Sequence, residues 1–375
     1  MRIPLYKIYW DEADVNDVAE IIKRGMFWTG GKEINKFEES ISKYVGAKYA
    51  LSFNSGTSAL HATLLALGIG ENDEVIVPSF SFISTANSAL FVGAKPVFAD
   101  IEDETYGLDA EDVKEKITNK TKAVIAIHYG GLPCHIRELS EVAEDHNLLL
   151  IEDAAESLGA HITGKKVGSF GDAAIFSFTG NKVITTGEGG MVVTDSRDIY
   201  ERLRLIGSHG RLETANYFKS EKLMDYIALG YNWRISTITA ALGLSQFRKL
   251  DTVIEMRRKN AEYLTKGLSR IGNITPPFVP RGYHHIYQMY TVKVDEGRDE
   301  LRNHLTEKGI TTKVYFDPIH LTSFYRKEFG YEAGELPVTE KLSGQVLTLP
   351  MYPTLTVEEM NYMLESIEEA MEMEA

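Results

Sequence analysis

Residues 122–155, KAVIAIHYGGLPCHIRELSEVAEDHNLLLIEDAA, decide the fold class. Two short apolar runs, KAVIAIHY (122–129) and LLLIEDAA (148–155), flank a stretch of helical character. Both runs are apolar on both faces, the pattern of a strand covered from two sides. Working outward, EVIVPS (74–79), KPVFAD (95–100), DAAIFSF (172–178) and GGMVVTD (189–195) have the same form, and helical stretches separate most of them. The pattern predicts an α/β fold with a mostly parallel central sheet and helices on both faces. Upstream, Val15, Val18, Ile21 and Ile22 share one helical face after the acidic start at Asp11–Asp14. Ile34, Phe37, Ile41 and Tyr44 repeat that spacing, with Gly46 as the stop.

From about Ser236 the character changes. Residues 238–268, ITAALGLSQFRKLDTVIEMRRKNAEYLTKGL, read as one long helix with few breaks. The Pro- and Gly-bearing segment TPPFVPRGYHH (275–285) then leads into further short strands and helices. A large domain over 1–250 and a smaller α+β domain over 251–375 follow, in keeping with a chain of 375 residues.

Composition removes several functions. The net charge is −14, from 40 basic and 54 acidic residues, which argues against a nucleic-acid or anionic-membrane surface. Cys134 is the only cysteine, so disulfides, cysteine zinc clusters and iron–sulfur centres are excluded and a reducing, cytoplasmic location is expected. The opening MRIPLYKIYWDEAD carries no signal-peptide pattern, and the uncharged stretches 51–70 and 77–94 are too rich in Ser, Thr, Asn, Gly or Pro to sit in a membrane. GAHITGKK (159–166) nearly spells a phosphate-binding loop, but Lys166 stands where a magnesium-binding hydroxyl belongs. The ten histidines lack metal-ligand spacing, and no metal site is expected.

The positive signal is a set of polar groups at the ends of the apolar runs, where open α/β sheets bind ligands. NSGTSALHATLLAL (54–67) puts a Gly-Thr-Ser turn at the start of an apolar helix, which suits a phosphate but equally a simple N-cap. LLLIEDAAES (148–157) ends on Glu152 and Asp153, as functional carboxylates or as caps of the next helix. In DAAIFSFTGNKVITTGEGGMVVTD (172–195), Lys182 lies on a polar turn between Ser177 and the glycines Gly187–Gly190. A turn lysine is usually solvated, but glycines here permit close approach of backbone to a ligand. Together these groups match the needs of pyridoxal 5′-phosphate (PLP): a lysine for a Schiff base, an ionised acid opposite the ring nitrogen, and an anion site for the phosphate.

Over nearly its whole length the chain resembles the DegT/DnrJ/EryC1/StrS sugar aminotransferases, of the fold-type I, aspartate aminotransferase-like class. The resemblance rests on the order and spacing of FEESISKYVGAKYALSFNSGTSAL (37–60), VPSFSFISTANSAL (77–90), HYGGLP (128–133), IEDAAESLGA (151–160), SFTGNKVITTGEGGMVVT (177–194), GYNWRISTITAALGLSQFRKLD (230–251) and LPMYPTLTVEE (349–359).

The resemblance implies that Lys182 is the Schiff-base lysine and proton carrier, and that Asp153 partners the pyridine nitrogen. It places Gly56, Thr57 and Ser177 at the phosphate, Phe82 against the ring, and Asn232 at the phosphate of a neighbouring subunit, hence a homodimer with shared sites. His320 matches a position near the sugar-nucleotide pocket. Many members carry Gln at the position of Glu156, facing the phenolic oxygen of the cofactor. A carboxylate there leaves three outcomes: protonated, turned away, or paired with a neighbour. The turn TGNK before the lysine also departs from the commoner forms. Lys182 argues against the dehydratases of this family that carry histidine there, and the single cysteine against those that carry iron–sulfur clusters.

The implied reaction is PLP-dependent transfer of an amino group from an amino acid, L-glutamate, to a nucleotide-linked keto-sugar, in amino-sugar synthesis for surface polysaccharide or glycoconjugate. A cyclitol or other keto acceptor, and a non-catalytic sensor of the same fold, stand as alternatives.

Overall fold

The thirteen strands, in the computed structural model that describes residues 1–211 and 225–374, form three sheets. The six apolar runs become β2 (Glu74–Pro78), β3 (Lys95–Ala99), β4 (Thr121–Ile127), β5 (Leu149–Asp153), β8 (Ala173–Ser177) and β9 (Gly190–Thr194). A further strand, β1 (Tyr49–Phe53), completes a seven-stranded sheet in the order β1-β9-β8-β5-β4-β2-β3. All neighbours from β8 to β3 run parallel, whereas β9 is antiparallel to both β1 and β8.

Both faces of that sheet are dry. Val75, Val77, Ile125, Ile151 and Ile175 pack against Leu60 and Leu64 of the Gly56–Ala66 helix and Ala86 and Ala89 of the Ser84–Phe91 helix. Ile76, Val124, Ala126 and Leu150 face Ile136, Leu139 and Val142 of the Ile136–Asp145 helix. Burial on both sides explains why these strands are continuously apolar rather than alternating.

The short β6 (His161–Ile162), β7 (Lys165–Lys166) and β11 (Tyr283–His284) form one small sheet. The other contains β10 (Ile274–Thr275), β12 (Tyr290–Val294) and β13 (Val346–Leu349). Around this last sheet a separate core gathers Leu264, Leu268, Tyr290, Val292, Leu301, Leu347, Met363 and Ile367, joined by Ile3 from the N-terminus. The expected boundary at 250/251 falls at the start of the Leu250–Leu268 helix. Leu250, Val253 and Ile254 pack with the large sheet and Ala261, Leu264 and Leu268 with the small one. Ile319, Tyr325 and Leu336 return to the large core, so the two units are laced together.

Two helical stretches form as expected, with a difference of detail in each. The stretch 238–268 is two helices, Thr237–Phe247 and Leu250–Leu268, broken where Lys249 turns aside to pair with Asp11 at 2.8 Å and Asp14 at 2.6 Å. The Glu12–Arg24 helix buries only Ile21 of its apolar stripe, while Val15 is 50% and Ile22 49% exposed. Its anchor is polar instead: Asp14 accepts from Lys249 and from Gln246 Nε2 at 2.9 Å. Gly46 ends the preceding-strand helix as read, in the left-handed conformation that favours glycine. No helix among the described residues is long and apolar enough to cross a membrane.

Candidate active site

Strands β5 and β8 are parallel neighbours, so their carboxyl ends lie side by side, and they carry Asp153 and Ser177. Next to Ser177 starts the Gly56–Ala66 helix. Its N-cap is Ser55, whose hydroxyl accepts from Ser58 N–H. A Cβ built on Gly56 would stand 3.1 Å from Ser177 Cβ, and one on Gly190 would stand 2.3 Å from Ser55 O. Glycine at 190 is what lets β9 pass under the helix terminus. The Gly56 and Thr57 N–H groups are those an α-helix leaves over, and with the Ser177 side chain they form a ready anion cradle. Thr57 Oγ1 is braced by Ser84 Oγ at 2.8 Å.

Asp153 is buried. Thr85 Oγ1 donates to its Oδ2 at 2.8 Å, Ser81 Oγ lies 2.6 Å from Thr85 Oγ1, and Ala155 N–H donates to Oδ1 at 3.3 Å. Burial pushes the Asp153 carboxyl above its usual range, with repulsion from Glu156 adding to it, against the pull of Thr85, Ala155 and Lys182.

Lys182 sits on the hairpin between β8 and β9. Its backbone N–H donates to Thr179 O at 3.0 Å, and the hairpin closes through Thr186 N–H to Phe178 O at 2.9 Å. The side chain is only 12% exposed, and Nζ donates to Glu156 Oε1 at 3.2 Å. Glu156 Oε2 accepts from Gly130 N–H at 2.9 Å. Of the three outcomes for Glu156, pairing with a neighbour is the one found. Lys182, Asp153 and Glu156 share one electrostatic environment at the carboxyl end of the sheet, beside the cradle of Gly56, Thr57 and Ser177.

The remaining expected residues divide. Phe82 follows Ser81 at the rim and is 60% exposed. Asn232 is also exposed, on an extended segment bridged to Ser208. His320 is fully buried: Nδ1 is 2.7 Å from Ser79 Oγ and Nε2 is 3.2 Å from Glu340 Oε1. With both ring nitrogens engaged inside the protein, His320 ties the Ile319–Leu321 turn to Ser79, just past the end of β2, and to Glu340.

Three contributors carry no motif signal of their own. Thr85 and Ser81 lie inside the quoted VPSFSFISTANSAL, where their spacing of four across the start of a helix points equally to ordinary capping. Gly130 contributes through its backbone, which no side-chain pattern reveals. Glu152 and Asp153 are adjacent on one strand and face opposite ways, so only one can meet the site. Glu152 points to the other face and accepts from Gly168, Phe170 and Gly171 N–H groups.

The chain is similar to known proteins over nearly its whole length. The chain is 37% identical to the GDP-perosamine synthase of Escherichia coli O157:H7 over 369 residues, covering 98% of each chain. Its fold matches Helicobacter pylori PseC, an aminotransferase involved in the biosynthesis of pseudoaminic acid, with a TM-score of 0.92 at 28% identity over 100% of both chains. It also matches Streptococcus pneumoniae Spr1654 in its PLP form, with a TM-score of 0.93 at 26% identity over 100% of this chain and 99% of that one. The family model for these proteins spans residues 9–368, and the chain belongs to the DegT/DnrJ/EryC1/StrS aminotransferase family.

Proposed function

We propose that the protein is a PLP-dependent aminotransferase that takes an amino group from L-glutamate and delivers it to a nucleotide-linked keto-sugar. The product is an amino sugar for surface polysaccharide or glycoconjugate. The observation that carries the reading is the grouping of Lys182, Asp153 and Glu156 at one end of the sheet, next to an anion cradle at a helix N-terminus. Similarity to GDP-perosamine synthase supports a nucleotide-linked acceptor.

The residues present fit PLP. Gly56, Thr57 and Ser177 would hold the phosphate. Asp153 is a buried carboxylate disfavoured by its own desolvation, and a protonated ring nitrogen is the cation that relieves it. When bound, PLP supplies an electron-withdrawing ring that stabilises negative charge at the substrate carbon. The Asp153 carboxylate, held by Thr85, would keep the proton on the ring nitrogen. Lys182 Nζ would hold the cofactor through its aldehyde and would carry the proton at the substrate carbon. Phe82 would cover the ring and exclude water from it.

The exposure of Phe82 and Asn232 in one protomer supports a homodimer in which Asn232 reaches the phosphate of the neighbouring subunit. A cytoplasmic location belongs to the same reading, supported by a single, buried cysteine.

The test separates the two half-reactions. PLP-loaded protein incubated with L-glutamate converts to the pyridoxamine spectrum and releases 2-oxoglutarate. The converted protein then aminates a member of a panel of nucleotide-linked keto-sugars and regains its first spectrum. A spectrum unmoved by glutamate and by other amino acids overturns the assignment, and turnover of keto-cyclitols alone overturns the acceptor.

A further inference from the structure

Behind the Lys182–Glu156 pair lies a second pair that the reaction above does not use. Glu152 and His128 both have no solvent exposure, and His128 Nε2 lies 3.0 Å from Glu152 Oε2. Glu152 also accepts from the N–H groups of Gly168 at 2.7 Å, Phe170 at 2.7 Å and Gly171 at 2.9 Å. Burial alone would push its carboxyl up, but His128 and the Gly168 and Gly171 amides outweigh burial and hold it below the usual range. On the far side of the imidazole, Cys134 N–H donates to Nδ1 at 3.1 Å. Nδ1 is therefore the acceptor and Nε2 carries the hydrogen given to Glu152. The ring is fixed at both nitrogens.

The backbone of His128 runs straight into the turn that touches Lys182's partner. His128 N–H donates to Asp153 O at 3.1 Å, and Ser157 Oγ donates to His128 O at 2.6 Å. Two residues on, Gly130 N–H holds Glu156 Oε2. Gly130 and Gly131 have φ of 60° and 100°, so this turn is built on left-handed backbone. Its outer side is tied by Met289 N–H to Gly130 O at 2.9 Å and Ile286 N–H to Gly131 O at 3.0 Å. Gln288, from the same segment, donates through Nε2 to Asn181 O at 2.6 Å, one residue before Lys182.

We propose that the His128–Glu152 pair is a positioning device for Lys182. It fixes the Gly130–Gly131 turn, so that Gly130 N–H keeps the Glu156 carboxylate aimed at Nζ. The proposal rests on the reading of Lys182 as the cofactor-holding lysine. Stability alone does not call for a charge here, because a buried carboxylate carries a desolvation cost that apolar residues of equal volume avoid. What the charge adds is direction: four donors converge on one carboxylate, and the imidazole is held in one tautomer.

The test uses PLP-loaded protein with His128→Leu, His128→Gln and Glu152→Gln, since Gln at 128 returns a donor near the place of Nε2. The titratable groups that act on Lys182 or on its partner Glu156 include Asp153, Tyr129 and Tyr315, and none of them is altered. In His128→Leu and Glu152→Gln the pH midpoint of the cofactor's absorption moves by about one pH unit. The kcat falls about tenfold to a hundredfold, while KM for the donor stays within about twofold. His128→Gln returns the midpoint to that of the unaltered enzyme. A lowered melting temperature with an unmoved midpoint overturns the proposal. Should the variants fail to fold, NMR of isotopically labelled histidine in the unaltered protein decides: the His128 ring signals differ between cofactor-free and loaded protein, and identical signals overturn the proposal. An unaltered protein that shows no cofactor absorption at all sinks the reading of Lys182 itself, a different failure.

Discussion

Lys182 Nζ and Glu156 Oε1 stand 3.2 Å apart, both nearly out of solvent, and the second oxygen of the same carboxylate takes the Gly130 N–H. The acid that sequence comparison marks as a departure is thus not a stray negative charge. It is saturated from two sides within the protein.

Removing either half of this pair has a separable outcome. Lys182→Ala abolishes turnover and the absorption of the lysine-held cofactor. Glu156→Gln keeps an acceptor for Gly130 N–H and stays within about tenfold of the unaltered kcat, whereas Glu156→Leu strands a buried N–H and destabilises by about 1–3 kcal/mol. Steady-state kinetics with thermal unfolding on the three variants checks the order.

Asp153 trades stability for cofactor binding. Its carboxyl lies above the ordinary value of 3.8 in the folded, cofactor-free chain. Between 3.8 and that raised value the folded state holds more protons than the unfolded one, so its contribution to stability is full below this window and is lost as pH rises through it. Asp153→Asn therefore raises the melting temperature of cofactor-free protein at neutral pH and weakens PLP retention at the same time. Thr85→Val removes the donor on Oδ2, raises the carboxyl further and weakens retention less than Asp153→Asn. Melting curves and equilibrium dialysis read both quantities.

The glycines under the phosphate cradle differ in what they tolerate. A Cβ at Gly190 would meet Ser55 O at 2.3 Å, backbone that cannot swing away. Gly190→Ala destabilises by about 1–3 kcal/mol, as overpacking does, and shifts the helix terminus that forms the anion cradle. At Gly56 the added atom would meet the Ser177 side chain at 3.1 Å, so Gly56→Ala lowers PLP affinity with a smaller loss of stability. Urea unfolding and PLP titration separate the two effects.

Replacement of His320 is expected to act on stability rather than on the sugar. Burial lowers its pKa below 6.5, partly offset by Glu340, so the folded state binds fewer protons than the unfolded one as pH drops past that value, and its contribution is lost there. His320→Ala leaves Ser79 Oγ unpartnered, costs about 1–3 kcal/mol, and leaves KM for the keto-sugar within about twofold. A large rise in that KM with unchanged stability contradicts this.

Where burial on both sides imposed apolar runs, the strands were legible: all six runs are strands, and Lys182, Asp153 and Ser177 follow from their ends. What escaped reading depends on direction and on neighbours distant in the chain. Glu152 and Asp153 look alike in sequence, and only the amides of Gly168, Phe170 and Gly171 show which one turns away. The break at Arg248–Lys249 is set by Asp11 and Asp14, more than two hundred positions upstream. His320 sits in a motif that resembles a substrate contact, but Ser79 and Glu340 claim both its nitrogens.

The reversed strand β9 has a consequence for how this protein can change over generations. Because Ser177 pairs directly with Gly190, the hairpin bearing Lys182 is stapled at its base across neighbouring strands in the middle of the sheet. The connections from β2 to β3, from β3 to β4 and from β4 to β5 run through helices and can absorb an inserted residue at the periphery. This one has no slack: lengthening or shortening it by a single residue would slide the amine past its acid. Diversification toward new sugars is thereby confined to the rim, and the reactive centre is inherited as a fixed-length part.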